Sequence, residues 1–173
     1  NALTYTRSTL HTTLSDYDLA PGLHIDPVHS LDHEETLDTL TFAVKRGLDT
    51  AGARAIAGRR IAFSSLITNG KSVIAPGQPS DELLTINNAV KRASSDLGIA
   101  NGEGLRGSWG AHATINRFTE PSSIETAARV IAKMHEFKEL GLSTPTAIDV
   151  GYLAVDAQGF KFTTHARFPL GRE

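Results

Sequence analysis

Two short stretches of this chain carry the same pattern, His-x-Thr-x. The first is His11-Thr12-Thr13-Leu14 and the second is His112-Ala113-Thr114-Ile115. Side chains in an extended strand alternate between faces with a period of two. Each copy therefore sets an imidazole and a hydroxyl side by side on one face. Leu10, Thr12 and Leu14, and in the second copy Ala111, Ala113 and Ile115, fall on the other face, and most of them are apolar. Two such strands packed together would gather two histidines and two threonines. That is an acid, a base and two hydrogen-bond donors, a set suited to phosphodiester chemistry.

Other residues of chemical interest read more plainly. His24, Asp26, His29, Asp32 and His33 are of metal-ligating types, but their spacing crosses a Pro-containing loop and is unspecific. His165 sits in Thr164-His165-Ala166-Arg167, lacks the paired threonine, and reads as a surface strand residue. His135 reads as a helix-face residue. Trp109, Tyr5, Tyr17 and Tyr152 are able to stack on a base, though core or rim positions are the plainer reading.

The bulk properties, 40% hydrophobic and 21% charged, read as those of an ordinary soluble globular protein. At 173 residues the chain is one domain by default, with two lobes allowed. Its formal net charge of −2 argues against binding a long duplex nucleic acid, while a small nucleotide in a local basic pocket remains compatible. There is no cysteine, which excludes disulfides, thiol nucleophiles and cysteine-held metals. No apolar run approaches the roughly 18 residues that span a bilayer, and no signal-peptide pattern is present. A cytoplasmic monomer with no cofactor and no membrane association is the expectation.

The elements that must position the two motifs are legible as a series. Residues 1–15 suit a strand and 16–31 a loop. Leu37, Leu40, Val44 and Leu48 recur at helical spacing, predicting a helix over about 33–50 with Gly52 as its stop. Residues 59–68 read as a strand, Asn69-Gly70 as a hairpin turn, and 71–75 as the return strand ended by Pro76-Gly77. A second helix carries Leu83, Ile86, Val90, Ala93 and Leu97 on one face and stops at Gly98. The Gly-rich stretch Asn101 to Gly110 reads as a loop, and 108–118 as the strand bearing the second motif. Ser122-Ser123-Ile124-Glu125 is a capping box. It opens a third helix to Leu140, with Ile124, Ala128, Ile131 and Met134 inward and Gly141 as its stop. Strands at 147–155 and 160–169 close the chain. The order β-α-β-β-α-β-α-β-β, with hairpins, predicts an α+β fold with mainly antiparallel sheets.

The paired motifs on strands, and this order of elements between them, resemble the two-histidine (2H) phosphoesterase superfamily. That group includes the 2′–5′ RNA ligase-like proteins and the cyclic phosphodiesterases. The tail from Val150-Gly151-Tyr152-Leu153 through Phe168-Pro169-Leu170-Gly171 is similar to the family's closing strand pair. The resemblance covers nearly the whole chain. It implies a single bilobal domain over residues 1–173, two mainly antiparallel sheets with flanking helices, and one motif per lobe facing across a central cleft. Members usually have a strand and a helix before the first motif. Only ten residues precede His11 here, and the chain begins without Met, so that part is expected to be missing or replaced. The loop at 16–31 is longer than the family pattern.

The resemblance further implies a metal-independent hydrolysis of 2′,3′-cyclic phosphates or 2′–5′ phosphodiesters in small nucleotides or RNA ends. His11 and His112 would be the general acid and base. Thr13 and Thr114 would hold the non-bridging phosphate oxygens. Arg117, five residues after His112, would reach phosphate or shape the pocket. Two other functions stand beside this one: a metal-dependent hydrolase built on the His24–His33 cluster, and a non-catalytic nucleotide- or RNA-binding module.

Overall fold

Leu40, Val44 and Leu48, at helical spacing in the sequence, are buried along a helix α1 (Ser30–Gly58). The computed structural model containing it describes residues 2–4, 11–14, 30–68, 70–99, 110–118, 120, 123–156 and 159–171. These fall into two compact units. The first gathers Asn1–Leu14, Arg60–Ser80 and Gly110–Thr144; the second gathers Ser15–Arg59, Asp81–Trp109 and Pro145–Glu173.

In the second unit α1 packs against α2 (Asp81–Asp96). The inward face of α2 is Leu83, Ile86, Val90 and Ala93, as the spacing predicts, with Asn87 and Ser94 buried beside them. Gly98 ends the helix at φ 77°, where a side chain would be strained. The N–H groups of Gly98 and Ile99 turn back to the carbonyls of Ser95 and Ser94, a Schellman closure. Gly52 breaks α1 at φ 78° and ψ 169°, but helical residues resume and run to Gly58, so it is a kink rather than the stop. A hairpin of β7 (Ala147–Asp156) and β8 (Gly159–Pro169) completes this unit, close to the predicted pair. Arg59, buried at the end of α1, donates from Nε to the Pro145 carbonyl at 2.5 Å and from its guanidinium to the Ile56 carbonyl. Burial lowers its pKa below the ordinary arginine value.

The first unit holds one sheet. Its strands are β1 (Ala2–Thr4), β2 (Ile61–Phe63), β3 (Ile67–Thr68), β4 (Ser72–Pro79), β5 (His112–Phe118) and β6 (Gly141–Ser143). The order is β1-β5-β4-β2-β6, with β3 also paired to β4, and every pairing is antiparallel. Together with the β7–β8 pair this makes an α+β chain with antiparallel sheets.

Three differences from the sequence reading have physical causes. The strand expected at 59–68 is two pieces, because the ladder along β4 breaks between them. Gly77 donates its N–H to Ala111 on the β5 side. The neighbouring Pro76 therefore turns its backbone toward the β2–β3 side, where it has no N–H to give. For the same reason Pro76-Gly77 does not end β4, since the β5 side needs nothing from Pro76. Gly77 is held there by close approach: a Cβ would lie 2.4 Å from Cγ2 of Ile61.

The third difference is the helix expected to run to Leu140. It is α3 (Ile124–Met134), closing on His135, whose N–H bonds the Ile131 carbonyl. The chain then leaves to form β6, announced by the Leu140 N–H bonding to Phe63. Gly141, at φ 99°, starts that strand instead of stopping the helix. Met134 is buried, but Ile124 is 85% exposed, and Ile131 and Ala128 are exposed too, so the expected inward face is only partly covered. Ser123 is the N-cap, and it accepts from the Thr126 N–H.

Candidate active site

Both copies of the His-x-Thr pattern lie in the first unit, the second on β5 and the first beside it at an isolated bridge, rather than one in each of two lobes. Thr12 forms an antiparallel bridge with Ala113. In an antiparallel pair, a step forward on one strand is a step back on the other. Carried one residue each way from this single bridge, that rule sets His11 opposite Thr114 and Thr13 opposite His112. Directly opposed residues have Cβ atoms about 4.5–5.5 Å apart, and diagonal neighbours somewhat further. The two histidines occupy one diagonal of this quartet and the two threonines the other. All four flank the Thr12–Ala113 pair and so share the face that pair does not use.

Burial along β4 and β5 separates the two faces, with Ser72 the one buried residue of β4 on the quartet's side, at 6%. On its far side β5 pairs His112 with Pro76, Ala113 with Ala75 and Thr114 with Ile74. Ala75 and Val73 are buried at 3% and 8%, and Ala111 at 3%, so their face is the core. The quartet lies on the opposite face. His11 and His112 are exposed there, and Thr13 and Thr114 are half-buried.

Arg117 joins them through an irregularity. Strict alternation places a residue five positions from His112 on the other face. Between Thr114 and Asn116, however, β5 spends one extra residue. Ile74 pairs with Thr114 and the adjacent Val73 pairs with Asn116, leaving Ile115 as a bulge. The next pair is Ser72 with Arg117. Ser72, Ile74 and Pro76 share a face of β4, so their partners Arg117, Thr114 and His112 share a face of β5. Asn116 goes to the core side with Val73.

One hydrogen bond fixes an imidazole. Nδ1 of His112 lies 3.1 Å from the Gly110 carbonyl. A carbonyl only accepts, so with this bond made Nδ1 carries the proton and Nε2 is left as the ring's acceptor.

The remaining residues singled out in the sequence are not brought here. Tyr5, Tyr17, Trp109, His24, Asp26 and His29 lie outside the described residues, as do the loop at 16–29 and most of the Gly-rich stretch. Asp32 and His33 fall in the first turns of α1. Among the described residues no group of three or more histidine, cysteine, aspartate or glutamate side chains is placed to hold a metal ion. His165 belongs to the second unit, where its Nε2 lies 2.9 Å from Oδ1 of Asp38. It is itself a bulge residue, since Val150 pairs with Ala166 and Gly151 with Thr164. Tyr152 is exposed in the same hairpin. A cavity of about 680 Å³ in the first unit lies between Ser64–Leu66 and the end of α3 at Met134–Lys138, and its lining does not include the quartet. No helix among the described residues is long and apolar enough to cross a membrane.

No protein-family model and no curated protein matches the chain. Solved structures do. The chain superposes on the MHV ns2 PDE domain with a TM-score of 0.52 at 12% identity, over 95% of this chain and 78% of that one. It superposes on TT0787 of Thermus thermophilus with a TM-score of 0.54 at 13% identity, over 98% of this chain and 82% of that one. At these identities the likeness is one of fold. It agrees with the α+β order of elements, and the chain has the fold of these two structures.

Proposed function

We propose that this chain is a metal-independent phosphodiesterase that opens 2′,3′-cyclic phosphates or cleaves 2′–5′ phosphodiester bonds in nucleotides or RNA ends. The observation that carries the proposal is the diagonal His–Thr quartet at the Thr12–Ala113 bridge. A phosphoryl group seated over the Thr12–Ala113 pair would have an imidazole at each of two opposite corners. In-line displacement needs such an opposition, because attacking and leaving oxygens sit on opposite sides of phosphorus.

In hydrolysis of a cyclic phosphate, one neutral imidazole takes a proton from water as its oxygen bonds to phosphorus. The other, as imidazolium, gives its proton to the ribose oxygen as that P–O bond breaks. The product is a ribose phosphomonoester, and the two histidines exchange protonation states. The Thr13 and Thr114 hydroxyls, on the other diagonal, donate to the non-bridging oxygens and stabilise the charge that develops there. Arg117 adds a positive charge to the same face. The fold likeness to a PDE domain favours this chemistry among those a paired histidine could perform.

The test is turnover of a panel of cyclic and 2′–5′ substrates, with product position assigned by phosphorus NMR. His11→Ala and His112→Ala should each lower kcat about 10²–10⁴-fold, the usual contribution of a positioned acid or base. Wild-type activity should survive EDTA. Turnover unchanged in both variants, or an EDTA loss restored by zinc or manganese, would rule the mechanism out.

A further inference from the structure

The bulge at Ile115 points to more than one phosphate on the substrate. The quartet is centred on the level of Thr12, Ala113 and Ala75. Arg117 stands at the level of Ser72, three β4 residues further along. At about 3.3 Å per residue that is about 10 Å of strand. Thr114 lies between, on the same face. A guanidinium based at Arg117 is therefore placed beyond the reacting group, in line with it along β5.

We infer that Arg117 holds a second phosphoryl group of the substrate, one nucleoside removed from the phosphorus undergoing reaction. Guanidinium suits the task because its planar fork pairs with two phosphate oxygens at once. The inference rests on the phosphodiesterase reading and narrows it. The preferred substrates carry a phosphate on the nucleoside next to the scissile bond, as 5′-phosphorylated cyclic nucleotides and oligonucleotides do. Unphosphorylated cyclic mononucleosides are poor substrates. The bulge is the device that makes this possible, since in a regular β5 Arg117, an odd number of positions after Thr114, would turn to the core side.

The probes are adenosine 2′,3′-cyclic phosphate and its 5′-phosphorylated form, compared by kcat/KM. The wild type should favour the 5′-phosphorylated form about 10- to 100-fold, the range of a charge-assisted hydrogen bond. Arg117→Gln should bring the ratio of the two close to one, through KM more than kcat, and Arg117→Lys should keep an intermediate ratio. Rising salt should narrow the wild-type ratio and leave that of Arg117→Gln in place. A wild-type ratio near one, or an Arg117→Gln variant that loses both substrates in equal proportion while circular dichroism stays native, would overturn the second-phosphate site and leave the phosphodiesterase standing. Hydrolysis of neither probe, nor of any 2′–5′ dimer, would remove the function and this inference with it.

Discussion

Arg117 and Thr114 lie on the same face of β5 although they are an odd number of positions apart. An odd separation in a regular strand puts two side chains on opposite faces. The bulge at Ile115 absorbs one residue and restores the match. Because Ile115 does this by its presence rather than its chemistry, deletion is the sharp test. Deletion puts Arg117 two positions after Thr114, with Asn116 still opposite Val73 and Arg117 opposite Ser72, so β5 becomes regular and Arg117 stays on the face of Thr114. The deletion variant should therefore keep the preference for a 5′-phosphorylated substrate, and adding Arg117→Gln to it should abolish that preference as it does in the wild type. Loss of the preference on deletion alone, with circular dichroism native, would show that the twist of the bulge and not the face of Arg117 sets it.

The His112 imidazole is fixed by the Gly110 carbonyl at 3.1 Å, and this predicts a spectroscopic result. In the neutral enzyme the ring should be the Nδ1–H tautomer, the minor one for free histidine side chains. Nitrogen-15 NMR of labelled protein reads this directly from the two ring shifts. Addition of a phosphate-containing inhibitor should shift the Nε2 resonance and leave Nδ1 nearly unmoved. An Nε2–H tautomer would make Nε2 a donor in the neutral ring and remove His112 as the base.

The threonines make a paired prediction. Carried from the Thr12–Ala113 bridge, the register sets each across from a histidine, Thr13 from His112 and Thr114 from His11. Thr13→Ala and Thr114→Ala should each lower kcat/KM by about 10²-fold or more, as loss of an oxyanion donor does. The serine variants should recover most of it. Loss confined to KM in the alanine variants would make the hydroxyls ground-state contacts rather than stabilisers of the transition state.

How much of this could be read from the chain alone depended on periodicity. The face of α2 was legible because Leu83, Ile86, Val90 and Ala93 repeat without interruption and meet α1 on one side. The β7–β8 hairpin was legible for a similar reason. The placement of Arg117 was not, because a bulge leaves no mark in residue type: Ile115 is as ordinary in a strand as in a bulge. The break between β2 and β3 had a signal in Pro76, but its meaning depends on which way the proline nitrogen faces, and pairing with β5 decides that. The end of α3 was overrun because residues 135–140 are good helix formers, and what stops them is a strand three residues long, too short to show alternation. That both motifs lie side by side in one unit is a matter of long-range pairing, which a local pattern does not carry.

The start of α3 offers a prediction about stability and pH. The Ser123 hydroxyl accepts the Thr126 N–H at 3.2 Å, capping the helix. A backbone N–H at Glu125 and then the Ser123 hydroxyl hold the Glu125 carboxyl below its ordinary range. A depressed carboxylate stabilises the folded state above its unfolded-state pKa. That contribution is lost as pH falls through the lower, folded-state value. Ser123→Ala should cost about 1 kcal/mol of stability at neutral pH, the usual effect of a lost cap. It should also move the Glu125 titration, followed by carbon-13 NMR of the side chain, up toward the ordinary carboxylate range. The difference in stability between wild type and variant should shrink as the solution is acidified below that range, because the charge-dependent part disappears from the wild type. A difference that stays constant with pH would assign the whole effect to the Thr126 bond and none to Glu125.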